Sequence, residues 1–460
     1  MLLPRRPPPI TESTKRRKAL RFHGWRIARA GLMIQVLHSG LVFNAFSLFS
    51  AQLQGEFGWS NSVFGGAFAL NRAESGLLGP LQGWMIDKFG PRWVLRLGAV
   101  IMGVGFLAFS AVTTVTGFYL SYLMIAMGSS LGGFLTITVA IVHWFEKKRA
   151  RALAFTSMGF AVGGTLAFGV GVVINTIGWR RTAQLGGIVS LVVILWLSRH
   201  FDRKPSDVGL LPDGDTVEDA APDDLAPEAG VAPRPALHFT AGEAMRTRAF
   251  WFLSLGHSSA LLVVGATMAH LAVFLDLETT LGALHGSVVV GTLPAMMGVG
   301  QILGGYLGDI YDKRLLITVA MVGHGAGILI LALAHSPLLV WLFVLVHGLA
   351  WGVRGPLQQA IRADYFGATD FGKIMGFSSL VVMLGMMIGP ITAGAIADAT
   401  GSFRPAFVIL GVAAGLGGFW FWFADPPRPP VRATPAVDHE RTGPNGSRDA
   451  ERQPATDVDA

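Results

Sequence analysis

Long apolar runs of about 18 to 25 residues recur from Trp25 to Phe423, and they constrain this chain more than any other feature of its sequence. A helix of about 20 residues spans the roughly 30 Å hydrocarbon core of a bilayer, so each run can cross a membrane. Read between turn and charge clusters, six spans come first: Trp25 to Phe49, Val63 to Ile86, Val94 to Val112, Gly117 to Val142, Ala154 to Ile177 and Thr182 to Leu197. Six more follow a polar interruption: Trp251 to Phe274, Ser287 to Leu307, Leu315 to Leu333, Leu338 to Gly355, Ile374 to Ile396 and Ala406 to Phe423. The chain is therefore expected to be an all-α polytopic membrane protein of twelve transmembrane helices. Composition agrees, since 52% of its residues are hydrophobic and 14% charged, which leaves too few polar groups for water to be its main solvent.

Twelve spans put both termini on one side. Placing them in the cytoplasm assigns Lys15 to Lys18, Lys88, Arg92, Lys147, Lys148, Arg149, Arg151, Lys313 and Arg314 to cytoplasmic segments, as positive-inside topology expects, and leaves Arg180, Arg181 and Arg404 outside. The net charge of +7 then reads as an orientation signal of a multi-pass inner-membrane protein rather than as a nucleic-acid surface, for which no separate basic domain exists. Residues 1–24 form a cytoplasmic N-terminal segment whose first 20 residues lack the apolar core of a cleaved signal peptide. Residues 199–248, rich in Pro, Ala and acids, read as a cytoplasmic linker between bundles at 25–198 and 249–424, and residues 425–460 as a disordered cytoplasmic tail. Cysteine is absent, which removes disulfide, thiolate-metal and thiol chemistry.

The two bundles are related in sequence. Gly83, Asp87 and Arg92 align with Gly305, Asp309 and Arg314 at an offset of 222, between the second and third span of each half. Gly128 and Gly132 match Gly348 and Gly352 at 220, and Gly178, Arg181 and Ala183 match Gly401, Arg404 and Ala406 at 223. A duplicated six-helix unit places a solute path between the halves, which can rock about a site near the midplane.

GWMIDKFGPR, from Gly83 to Arg92, resembles the signature loop of the major facilitator superfamily, and GGYLGDIYDKR resembles its degenerate second copy. HGWRIARAG at the first span, EFGWS after it, HWFEKKRARALA between spans four and five, and ADYFGATDFGKIMG between ten and eleven are similar to its monocarboxylate and oxalate/formate branch. The resemblance implies two six-helix bundles, alternating access, and a cavity lined by the first, fourth, seventh and tenth helices. It also implies that Asp87 meets the N-terminus of the eleventh helix and nearby arginines when the cytoplasmic side is closed. The branch typically carries an arginine in the eighth helix, and oxalate carriers a lysine within the eleventh. Here those spans offer Gln301 and only Lys373 at the mouth, so a bound carboxylate would need Arg72 or Arg354.

Within this frame Gly83, Asp87, Gly90 and Arg92, with Asp309 and Arg314, are read as a cytoplasmic gate, Asp87 pairing with Arg92 and Asp309 with Arg314. The competing reading is topology and solubility alone. Ionisable residues inside a span are costly unless paired or facing a cavity, which singles out Arg72 as an anion anchor and Glu74 as a proton carrier, against a buried structural network. The helices that the resemblance assigns to the cavity add Gln35, His38, Asn44, His257, His270, His347 and Arg354, the histidines also suiting purely structural roles. Glu74 and Arg72 put the midplane charge in the first half only.

The expected function is secondary active transport of a small organic anion, monocarboxylate-like, with proton co-transport or anion exchange. Proton-driven efflux of an amphipathic drug or metabolite is the alternative within transport, and a membrane receptor the alternative outside it. No nucleotide loop, metal-ligand cluster or nucleophile motif speaks for an enzyme, a cofactor or a metal. The expected partners are the solute, the lipid bilayer and a proton, with the protein acting as a monomer and not binding nucleic acid.

Overall fold

A computed structural model describes residues 22–208, 210–214, 238–279 and 282–430, so most of the N-terminal segment, the middle of the linker and the tail from residue 431 lie outside the described residues. Every regular element described is helical. The first half comprises α1 (His23–His38), a π-helical turn (Ser39–Asn44), α2 (Phe46–Phe57), α3 (Asn61–Phe89), α4 (Pro91–Ser110), α5 (Val115–Leu131), α6 (Phe134–Trp144), α7 (Arg149–Ile177) and α8 (Trp179–Leu197). After a short α9 (Ala241–Met245) come α10 (Arg248–Glu278), α11 (Gly282–Gly308), α12 (Lys313–Ala332), α13 (Pro337–Phe366), α14 (Phe371–Thr400), α15 (Arg404–Leu416) and α16 (Gly418–Trp422). Eleven helical segments among the described residues are long and apolar enough to cross a membrane. The twelfth rod, α3, is 29 residues long but carries Asn71, Arg72 and Glu74 in mid-helix, which lowers its hydropathy.

Several spans depart from their predicted form. The first continues past Phe49 to Phe57 through the π turn, whose loosened ring is held by Asn44: its Nδ2 donates to Ser39 O at 2.8 Å and to Ser39 Oγ at 2.9 Å. The fourth is broken between α5 and α6, where Gly133 leaves helical backbone at φ −107°, ψ −139°. The tenth does not end at Gly355. Helix α13 keeps Pro356 inside and runs on to Phe366, because proline removes a single donor from a helix whose other backbone groups still pair internally.

The halves meet along two helix pairs, α3 with α14 and α7 with α11. Both seams are made of small residues, which lets backbones approach in a medium where apolar side chains gain nothing over lipid. A Cβ on Gly83 would run into the carbonyl of Gly372, and one on Gly376 into the carbonyl of Gly79. On the other seam Gly305 and Gly308 lie against Ala150 and Ala154.

Opposite ends of the molecule are tied differently. At the end away from Asp87, each half closes on itself. Arg180 pairs with Glu56 at 2.7 Å and donates to the carbonyls of Ser110 and Val112 at 3.0 Å. Arg404 pairs with Glu278 at 3.2 Å and donates to Ala332 O at 2.7 Å and Ala334 O at 2.9 Å. The partners repeat at an offset of 222, so the counterpart of Arg404 is Arg180, not the Arg181 that the sequence alignment selects. At the Asp87 end, ion pairs Arg149–Asp364 and Arg151–Asp309 cross between halves.

The linker is more than a spacer where it is described. Phe201 and Phe239 are buried, and Asp213 accepts the backbone N–H groups of Glu146, Lys147 and Lys148 at 3.1, 2.7 and 3.2 Å. Asp213 does so from left-handed backbone, φ 64°, which costs energy for a side chain other than glycine.

Candidate functional site

A cavity of about 360 Å³ lies between the halves, lined by α1, α3, α5, α6 and α7 on one side and by α10, α11, α13 and α14 on the other. Two irregular stretches shape the first wall. The π turn follows His38 and carries Phe43, both on the cavity. The break at Gly133 frees carbonyls of α5, and they are satisfied locally: Gln82 Nε2 donates to Ser130 O at 2.6 Å, and Thr136 Oγ1 to Leu131 O at 2.6 Å. Broken helices are tolerated at membrane depth where they line a cavity and their backbone finds partners.

Two guanidinium groups face this space, one from each half. Arg72 of α3 lies over the rings of Phe68 and Phe43, at 4.6 and 5.1 Å from their centroids, with no carboxylate partner among the described residues. Arg354 of α13 is 1% exposed and donates only to Gln358 Oε1, at 2.9 Å; its Nε has no partner. Buried charge on the cavity thus comes from both halves. Behind Arg354, sequence reasoning missed Arg362, which lies beyond the predicted end of the tenth span. It is 1% exposed, donates to Gln358 O at 2.7 Å and Leu253 O at 2.9 Å, and reaches His257 Nδ1 at 3.5 Å.

Glu74 of α3 pairs with neither arginine. Its Oε2 accepts from Ser130 Oγ at 3.0 Å and Ser75 Oγ at 3.3 Å, and Oε1 is buried without a partner. Ser75 and Ser130 both line the cavity and connect Glu74 to it. Of the other candidates, Gln35, His38 and His257 line the cavity. Asn44, His270 and His347 do not. Asn44 holds the π turn, and His270 Nε2 bonds Pro390 O at 3.0 Å. His347 stacks on His324 at 4.1 Å between ring centroids, both fully buried behind Trp351. Gln82, Gln301 and Gln359, all on the cavity, were not among the predicted site residues; Gln359, like Arg362, lies beyond the predicted end of its span.

At the Asp87 end the carboxylate of Asp87 accepts the N–H of Gly372 at 3.1 Å and of Lys373 at 2.9 Å, the first turn of α14, where a helix attracts an anion. Asp309 has the same relation to the other seam: its side chain, 2% exposed, accepts from Ala150 N at 2.9 Å at the start of α7 and from Arg151 Nε. The predicted pairings of Asp87 with Arg92 and Asp309 with Arg314 are corrected. Arg92 pairs with Asp202 and Arg199 O, and Arg314 with Asp425, so both arginines brace their own half rather than bridging the two. Gly90 turns the chain from α3 to α4 with φ +83°, a value that suits only glycine at low cost.

A family model described as the Major Facilitator Superfamily matches residues 32–298 and 260–455. Among curated relatives, monocarboxylate transporter 11 of Homo sapiens is 26% identical over 412 residues, covering 86% of this chain and 82% of its own. The oxalate:formate antiporter of Oxalobacter formigenes is 22% identical over 409 residues, covering 84% and 88%. Among solved structures, that of the proton:xylose symporter XylE bound to 6-bromo-6-deoxy-D-glucose superposes with a TM-score of 0.69 at 16% identity, over 88% of this chain and 96% of that one.

Proposed function

Because the chain belongs to the Major Facilitator Superfamily and is a multi-pass membrane transporter, we propose that its cargo is a small organic anion, carried by alternating access with proton coupling or anion exchange. The observation that carries this reading is the pair of cavity guanidiniums, Arg72 and Arg354, one on each half and neither neutralised by a carboxylate among the described residues. An unpaired buried cation is expensive, and an anion bound between the two would supply the missing charge in the conformation where the halves are closed on it. The monocarboxylate and oxalate:formate relatives favour the same class.

Glu74 is the proton carrier in this scheme. Its link to the cavity through Ser75 and Ser130 lets its protonation respond to what the cavity holds. Asp87, docked against the start of α14, and Asp309, docked against the start of α7, form the gate, each spanning the seam between halves and each released when that end opens. The gate end is cytoplasmic, in the inner membrane, as the basic loops around it imply, and the carrier works as a monomer.

The test is uptake of a labelled monocarboxylate into proteoliposomes, with and without a pH gradient, by the wild type and by Arg354→Gln. Saturable uptake or exchange that falls at least tenfold in the variant supports the reading. Full activity of the variant, or no transport of any carboxylate by the wild type, overturns it.

A further inference from the structure

Both halves give the cavity polar groups, Gln301, Arg354 and Gln359 among those of the second, but its methionines come from one half alone. The first half presents polar groups such as Gln35, Arg72 and Gln82 together with the rings of Phe43, Phe134 and Phe160, and not one methionine. The second half presents Met268, Met297, Met375, Met383 and Met386, from three helices, α10, α11 and α14. Five of the sixteen methionines in the chain thus converge on one face of one space. Methionine filling an irregular core would be scattered among the bundles. Side by side on a cavity wall, unbranched and polarisable, it makes a surface that fits apolar bodies of differing shape.

The size of the space adds a second constraint. About 360 Å³ holds on the order of a dozen waters, far more than a formate or acetate ion needs. A small hydrophilic anion at Arg354 or Arg72 would leave the methionine wall wet in every state in which the cavity is closed. An anion with an apolar body would cover it.

We propose that the transported anion is amphipathic, a carboxylate with an alkyl or aryl body of several carbons, and that Met268, Met297, Met383 and Met386 form the subsite for that body. The inference rests on the anion-carrier reading above and adds the class of cargo and the residues that select it. The charged group is held by Arg72 and Arg354, and the body lies against the methionines of α10, α11 and α14. Selectivity for the head is strict, because each guanidinium needs a charge partner. Selectivity for the body is broad, because a methionine face repacks around what it meets.

The experiment is calorimetric binding of sodium acetate, butyrate, hexanoate and octanoate to the full chain in nanodiscs, with empty nanodiscs subtracting lipid partition and octylammonium as the charge control. Burial of a methylene corresponds to roughly a fourfold gain in affinity, so the dissociation constant is expected to fall by about that factor per added carbon until the wall is covered. The triple variant Met268→Ser, Met383→Ser and Met386→Ser is expected to reduce the gain to under about twofold per carbon, leaving acetate within about twofold of the wild type. Should that variant not fold, Met383→Ser alone must lower octanoate affinity more than butyrate affinity. Arg354→Gln is expected to weaken all four anions by one common factor and keep the chain-length slope.

A wild type that binds butyrate but shows no gain from butyrate to octanoate overturns the amphipathic cargo and leaves the anion carrier standing. So does a triple variant with an unchanged slope. Binding of none of the four anions, or octylammonium bound as tightly as octanoate, overturns the anion reading itself and this inference with it.

Discussion

Replacing Asp87 by asparagine changes little in shape and removes the charge that joins the halves. In the structure the carboxylate takes two N–H groups from the first turn of α14, at 3.1 and 2.9 Å. Hydrogen bonds to a charged acceptor contribute about 1.5–3 kcal/mol each, against about 1 kcal/mol for neutral ones. The amide keeps one acceptor oxygen and turns an NH₂ toward the other donor, and the favourable charge at the helix N-terminus, about 0.3–1 kcal/mol, is lost as well. Arg203 donates to the backbone carbonyl of Asp87, which the substitution spares. Taking the smallest of these values, the closed gate is weakened by about 2 kcal/mol, which at 1.4 kcal/mol per factor of ten moves the open-to-closed ratio about 30-fold. The chain has no cysteine, so a single Ser157→Cys on the cavity wall reports opening directly. In vesicles exposed to a membrane-impermeant maleimide on the Asp87 side only, Asp87→Asn should raise the labelling rate of this cysteine by up to about 30-fold. A rate within about twofold of the parent would refute the energetic argument and reduce Asp87 to a topology marker.

Other substitutions separate the remaining roles. Gly83→Ala sets a methyl against the carbonyl of Gly372, so it should raise the same labelling rate by sterics alone while Asp87 remains, whereas an unchanged rate would mean that the α3–α14 seam is loose. Glu74→Gln should abolish pH-driven accumulation in proteoliposomes and spare anion exchange; retained accumulation would move the proton elsewhere. Arg180→Gln, losing an ion pair and two carbonyl bonds, should lower the apparent melting temperature in detergent by several degrees, roughly what 2 kcal/mol produces in a large domain, while exposed Arg181→Gln should leave it within about a degree. Asp213→Gly relieves the left-handed backbone yet strips three N–H groups of their acceptor, so if capping dominates the linker should become more sensitive to limited proteolysis, and greater resistance would show strain to be the larger effect.

The sequence and structure diverge where function concentrates. Long spans are legible because an apolar run has one stable form in lipid, and the duplicated loop is legible because glycine and aspartate are needed at fixed positions. Helix α3 was legible as the span Val63 to Ile86 even though Asn71, Arg72 and Glu74 lower the apolar signal that defines a span. Arg362 was missed. Gly355 and Pro356 look like a helix stop, whereas the surrounding bundle carries α13 past them and buries Gln358, Gln359 and Arg362 beyond. The partners of the loop arginines were illegible. Arg92 is five residues from Asp87, but a loop that turns at Gly90 sends it to Asp202 across its own half. The π turn at Ser39 carries no proline, and the asparagine that holds it looked like a cavity residue.

The repeat also explains where chemistry could arise. Gate and clasp positions keep the offset of 222: Asp87 with Asp309, Glu56 with Glu278, and the carbonyls of Ser110 and Val112 with those of Ala332 and Ala334. Those positions hold the frame of each half, so both copies need the same residues. The cavity does not follow the rule. At the same offset Arg72 and Glu74 correspond to Pro294 and Met296, and at 220 Arg354 and Arg362 correspond to Phe134 and Val142. Charge is therefore present in both halves at non-equivalent depths and on different helices, and the methionine wall belongs to one half only. A symmetric cavity would offer a cargo two equivalent poses related by the pseudo-twofold axis. With the guanidiniums offset and the methionines confined to one half, a bound anion has a single favourable orientation, and it keeps contact with both halves only while they are closed on it.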